Sequence, residues 1–132
     1  MNRYLIDTHV WLWLQSAPSR LASQLLDQLS DDSNDLLLSA ASSWEISIKY
    51  GLGKLPLPEP PHLYVPDRMR RSGTAALAVE HMHALGVDEL PALHRNPFDR
   101  LLIAQARYLG LTLVTADPQI ARYDVEVEFV SS

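Results

Sequence analysis

Asn96-Pro97-Phe98-Asp99-Arg100-Leu101-Leu102-Ile103-Ala104-Gln105-Ala106-Arg107-Tyr108-Leu109-Gly110-Leu111-Thr112-Leu113-Val114-Thr115-Ala116-Asp117 holds, in order, a helix with both of its ends, a strand, and an acid just beyond that strand. Asn96 suits the N-cap, and Pro97 fits the first helical position, where its missing N–H would have been unpaired anyway. Phe98, Leu101, Leu102, Ala106 and Leu109 recur as one apolar stripe, and Gly110 supplies a terminus. Leu111 to Thr115 then predicts a strand. Asp117-Pro118-Gln119-Ile120 opens a short helical turn, and the alternation from Val125 to Val130 predicts an edge strand.

The same alternation recurs upstream. Arg3 to Ile6 predicts a strand that ends at Asp7, and Thr8 to Gln15 has the spacing of a buried helix. Ser19 to Leu29 predicts a second, amphipathic helix with Ser19 as its N-cap. Leu36-Leu37-Leu38-Ser39 shows no polar alternation, as expected of a parallel strand buried on both faces. Ser42 to Tyr50 predicts the next helix, closed by Gly51 and Gly53. Five prolines between Pro56 and Pro66 argue against a long helix there, leaving a short one opened by Pro61 or Pro66 in a hairpin or clip. Thr74 to Val79 reads as a weak strand, Glu80 to Leu85 as a short helix and Asp88 to His94 as a loop. Strand and helix in repeated succession imply an α/β fold with a parallel, doubly wound sheet.

A chain of 132 residues fits one domain, residues 1–132. Cysteine is absent, which excludes disulfides and thiolate metal sites and fits a reducing compartment. The apolar runs are too short to span a bilayer, and the N-terminal stretch lacks the regions of a signal peptide, so a cytoplasmic, non-membrane protein is expected. The net charge of −5 argues against coating nucleic acid by overall positive potential. It leaves open local basic patches, such as Arg68, Arg70 and Arg71 or Arg95, Arg100 and Arg107, although a solvated helix face explains each arginine as well.

Ligands of an open parallel sheet bind beyond the carboxyl ends of its strands, and four positions expected there are acidic. Asp7 ends the first strand, Glu45 is expected in the first turn of the helix after Ser39, Asp99 starts the long helix, and Asp117 follows the strand at Thr115. Each has a structural explanation taken alone. Asp7 and Asp117 suit N-caps, Ser42-Ser43-Trp44-Glu45 has the form of a capping box, and Asp99 sits at the positive end of its helix. Ser, Thr or Asn would cap equally well, however, and four clustered carboxylates repel one another unless a cation offsets them. Oxygen ligands with no Cys or His among them suit magnesium or manganese rather than zinc. Such an ion activates water and neutralises charge on a phosphodiester as it is cut. Thr115 and Thr8 add hydroxyls able to hold a metal-bound water.

The segments Leu5-Ile6-Asp7-Thr8-His9 with Trp11, Ser42-Ser43-Trp44-Glu45-Ile46-Ser47-Ile48-Lys49, Asn96 through Ala106, and Thr115-Ala116-Asp117 together resemble the PIN-domain family, and within it the toxin ribonucleases of the VapC type. The resemblance spans nearly the whole chain. It implies a PIN-like α/β/α sandwich on a parallel sheet of four to five strands, with Asp7, Glu45, Asp99 and Asp117 as magnesium ligands and catalytic residues, to which the hydroxyl of Thr115, read from its place beside Asp117, is added as a catalytic candidate. It also implies cleavage of single-stranded RNA to a 5′-phosphate and a 3′-hydroxyl, a homodimer, and a VapB-like antitoxin through which alone the toxin meets DNA. Asn96 departs from the family, in which an acid is common at this place.

Other residues are left outside the expected site. His81 and His83 are read as surface residues, His9 as packed or hydrogen-bonded near the first helix, and His62 and His94 as loop residues without a position. Trp11, Trp13 and Trp44 can stack on bases, but their apolar neighbours favour core or dimer packing. An aspartyl-phosphatase would want a second acid two residues after Asp7, where His9 stands, a receiver domain would want an adjacent acidic pair near the first strand, and the sequence has no Gly-rich phosphate loop.

Overall fold

In the computed structural model, which describes residues 1–130, five strands form one parallel sheet. They are β1 (Arg3–Ile6), β2 (Asp35–Ser39), β3 (Thr74–Leu77), β4 (Thr112–Thr115) and β5 (Val127–Phe129), in the spatial order β3-β2-β1-β4-β5. The helices are α1 (Thr8–Ser16), α2 (Ser23–Ser30), α3 (Ala40–Gly51), α4 (Pro61–Ser72), α5 (His81–Gly86) and α6 (Pro97–Leu109). Parallel strands put every carboxyl end on one edge. The chain first builds outward from β1 to β3 and then resumes on the other side with β4, so its topological switch point lies between β1 and β4.

The apolar runs divide between two cores according to the two-residue period of a strand. Tyr4, Ile6, Leu36, Leu38 and Val114 face one cluster with Val10 and Trp11 of α1, Leu25 and Leu29 of α2, and Tyr64 and Val65 of α4. Leu5 and Leu113, with Leu37 partly buried beside them, face the other, against Leu102, Ile103 and Ala106 of α6. The result is the expected α/β/α sandwich. Trp11 is fully enclosed, its indole N–H donating to Thr74 Oγ1 at 3.2 Å; a cavity left by Trp11→Ala would cost about 3–5 kcal/mol.

Four local expectations need correction. Pro18–Arg20 forms a separate 3₁₀ turn, so α2 starts at Ser23, uncapped by any side chain, rather than at Ser19. A single helix of 12 residues, α4, runs through the proline-rich region, because Pro60 and Pro61 occupy its N-cap and first position and only Pro66 falls inside. Between α5 and the loop, Val87–Glu89 adds a 3₁₀ turn. Finally, α3 begins at Ala40 with Ser39 as N-cap, its hydroxyl accepting from the Ala41 N–H at 3.1 Å. Ser42 therefore caps nothing, and Glu45 lies in the second turn rather than the first.

Candidate active site

Asp7 and Thr115 meet at the switch point. The register sets Ile6 opposite Val114, so Asp7, just past the end of β1, comes opposite Thr115, the last residue of β4. Asp7 caps α1 by accepting from the Val10 N–H at 2.8 Å, and its other oxygen accepts from the Thr115 hydroxyl at 2.5 Å. Thr115 Oγ1 in turn accepts from the Asp117 N–H at 3.0 Å, which ties the ends of β1 and β4 together. Asp117 also accepts from the Gln119 N–H at 2.9 Å, turning the chain into the 3₁₀ turn Ile120–Arg122. Capping thus accounts for one oxygen of Asp7, whereas Asp117, expected as a cap, accepts only a turn bond from the Gln119 N–H, and Gln119 is itself the N-cap of the 3₁₀ turn.

It does not account for Glu45. Placed in the second turn of α3, this carboxylate is beyond the orphan amides of the helix start. It is 1% exposed, with one oxygen 2.6 Å from Lys49 Nζ and the other, Oε1, buried without a hydrogen-bond partner among the described residues. An ionised carboxylate buried in this way needs a second positive partner to offset its lost hydration.

Asp99 stands at the third position of α6, as expected, with Asn96 accepting from the N–H groups of Phe98 at 2.9 Å and Asp99 at 3.3 Å. The oxygen Asp99 Oδ2 lies 2.8 Å from His94 Nε2, and that same nitrogen is 3.2 Å from Asp117 Oδ2. Their ligand atoms all fall within 4.8 Å of one another, a spacing that fits one shared cation. His94 is the residue that sequence reasoning missed: its ring nitrogen lies between two of the acids. A single histidine in a loop has no spacing signature. What fixes it is remote: the Tyr123 hydroxyl accepts the His94 N–H at 2.8 Å, and Arg100 donates to the carbonyls of Val87, Pro91 and His94.

Electrostatics link the acids. Burial pushes the Asp7 carboxyl up to about 6, against the opposing bonds from Thr115 and Val10, and the Asp99 charge pushes the same way. The Asp99 carboxyl is also raised, first by burial and then, against the bond from His94, by repulsion from Glu45 and Asp117. Asp7, Glu45 and Asp117 thus each lie within reach of the Asp99 charge, but of the four predicted acids only Asp99 and Asp117, together with His94, bring their ligand atoms within 4.8 Å of one another.

The other singled-out residues are elsewhere. Arg68, Arg70 and Arg71 gather around Asp67, and Arg100 is committed to loop carbonyls. His83 is buried rather than superficial, its Nδ1 accepting from the Glu80 N–H at 3.0 Å, whereas His81 and His62 are exposed and His9 is exposed instead of packed. Thr8 is buried, with its hydroxyl unpaired among the described residues. Of the tryptophans, Trp11 is core, Trp13 lies partly buried under the Arg20 guanidinium, and Trp44 is 61% exposed.

A model of the PIN domain matches residues 4–126. The chain belongs to the PIN-domain family. Ribonuclease VapC16 of Mycobacterium tuberculosis (strain ATCC 25618 / H37Rv) is 56% identical to this PIN domain over 68 residues, which cover 48% of each chain, so the match spans about half the length of that curated relative. Among solved structures, VapBC2 from Rickettsia felis bound to a DNA fragment from its promoter superposes with a TM-score of 0.75 at 18% identity, over 98% of this chain and 99% of that one. DNA-bound VapBC from Salmonella typhimurium gives 0.70 at 17% identity over 99% and 100%, and FitAcB from Neisseria gonorrhoeae 0.62 at 21% over 94% and 95%. At these identities the likeness shows the fold.

Proposed function

We propose that this PIN domain is a metal-dependent endoribonuclease acting as the toxin of a toxin–antitoxin pair, with Asp7, Glu45, Asp99 and Asp117 holding magnesium, or manganese in its place. The observation that carries the reading is Glu45: a carboxylate with an unpartnered oxygen, buried within reach of the charge of another acid, is costly to the fold and useful to a cation. When bound, a divalent ion lowers the pKa of water and neutralises charge developing on the phosphodiester.

The chain's own residues do the rest. Thr115 orients Asp7 by donating to one of its oxygens, and His94 holds Asp99 and Asp117 together. Lys49 shields Glu45 from the side that faces α3's next turn. The substrate class is RNA, which the identity to a named ribonuclease supports, and the proposed cut leaves a 5′-phosphate and a 3′-hydroxyl. The DNA-bound VapBC complexes of like fold support a VapB-like antitoxin as partner; on this reading the chain meets DNA only through it and acts as a homodimer. Among the described residues no helix is long and apolar enough to cross a membrane, which agrees with action in the cytoplasm, where RNA is found. The test is cleavage of total RNA with added magnesium or manganese. Cutting that requires the metal and leaves 5′-phosphates is expected; equal cutting in excess EDTA would refute the mechanism.

A further inference from the structure

Beside the acidic edge lies a cavity of about 430 Å³ that plays no part in holding the carboxylates. Its walls are mostly apolar, formed by Trp44, Phe98, Val87 and Leu101, with Arg95 and Arg100 also lining it and no acidic residue among them. Trp44 and Phe98 meet edge to face, their ring centroids 5.3 Å apart and their planes at 76°. Trp44 precedes Glu45 and Phe98 precedes Asp99, so each ring is anchored one peptide, about 3.8 Å between Cα atoms, from an acid of the site. Successive side chains on a helix diverge by about 100°, so the carboxylates turn inward while the aromatic rings form the neighbouring wall.

Resting on the ribonuclease reading, we propose that Trp44 and Phe98 form a nucleobase-binding subsite, in which the base next to the cut stacks on the Trp44 indole and Arg95 meets the adjoining phosphate. Three features select a nucleotide over other occupants. Single-stranded RNA is held by stacking on aromatic faces along a positive groove, and an indole that is 61% exposed offers such a face. The positive charge is free to act: among the described residues Arg95 makes no ion pair or hydrogen bond, whereas Arg100 is spent on the loop carbonyls. In a chain of net charge −5, a cavity lined by the unpaired Arg95 and by no acidic residue complements a polyanion. Its size and apolar lining also suit a small, flat ligand.

The test uses fluorescein-labelled RNA decamers of mixed sequence with magnesium, bound to the full chain carrying Asp7→Asn so that they are not cut. Removing one base at a time from the decamer should reveal a position at which the loss lowers affinity by about five- to a hundredfold. Trp44→Ala should lower affinity by a similar factor and abolish the sensitivity at that position, while Trp44→Phe keeps most of the binding. Arg95→Ala should reduce the slope of log affinity against log salt by roughly 0.7. Unchanged affinity and unchanged base dependence in Trp44→Ala would overturn the subsite while leaving RNA cleavage by the unmodified chain intact. Conversion of a dimer to a monomer by Trp44→Ala in light scattering, with binding per protomer unaltered, would overturn it too and mark the face as an interface between copies. Absence of any RNA binding or cleavage by the chain would remove the ribonuclease reading itself, and the subsite with it.

Discussion

Two charged clusters in this molecule are built from similar residues and obey opposite rules. On α4, Asp67 is ringed by Arg68, Arg70 and Arg71, with Glu59 joining Arg68, and the arginines at 70 and 71 reach into solvent. At the carboxyl edge of the sheet, Asp7, Glu45 and Asp99 are drawn under cover toward Asp117, with Lys49 and His94 as their basic neighbours. The first cluster sets three positive charges against two negative ones, so every acid in it has a basic partner, and it opens to solvent at Arg70 and Arg71. The second gathers like charge where water is scarce, and Asp7 and Asp99 are raised as a consequence. Exposed pairs on a helix need no further explanation, whereas a buried excess of negative charge is what the proposed cation would offset.

The contrast is broken most severely by amide substitutions. Asp99→Asn should keep the fold, since Asn96 supplies the cap of α6, yet lower RNA cleavage by at least about a hundredfold. Asp67→Asn in the α4 cluster should leave cleavage within about twofold. Comparable losses for both in a single-turnover assay would erase the distinction between the clusters.

The next effect is on stability. Folding raises the Asp7 carboxyl from 3.8 to about 6, so between these values the folded state holds more protons than the unfolded one. Metal-free stability should therefore fall as pH rises from about 4 through about 6, by on the order of 3 kcal/mol for this group, and remain low above it. Asp99 is shifted in the same direction and adds to the trend. Denaturant melts in EDTA across this range provide the check. Asp7→Asn should flatten the profile, and a profile rising with pH would contradict the assignment.

Replacing His94 by Ala should weaken manganese binding by about tenfold, as loss of an orienting partner does, without unfolding the domain. Smallest of all, Arg70→Ala should change unfolding free energy by no more than about 0.5 kcal/mol, because its partner Asp67 retains two other arginines.

These two regions also divide what the sequence made legible. The sheet could be read because strands buried on both faces are continuous apolar runs, and α6 because Asn96, Pro97 and Gly110 mark its ends chemically. The four acids could be read because a parallel sheet gathers strand ends at one edge. The misreadings share a cause, the choice among competing caps and breakers that only packing resolves. Ser39 and Ser42 are both good caps, and burial of Ala41, Ser42 and Glu45 along one face selects the earlier start. Pro66 is tolerated in α4 because Tyr64 and Val65 are anchored in the core on the preceding turn. His94 was invisible for a different reason: Tyr123, far along the chain, fixes its loop over the site. His83 was misjudged because its burial depends on α6, where Gln105 and Tyr108 pack against it.

The central claim is most directly tested by manganese titration of the metal-free chain at neutral pH, followed as heat of binding and compared with Glu45→Gln. Saturable binding to the parent protein, accompanied by a higher unfolding temperature and both lost or greatly weakened in Glu45→Gln, is the predicted result. Equal binding and equal stabilisation of the two proteins, or none in either, would contradict the account.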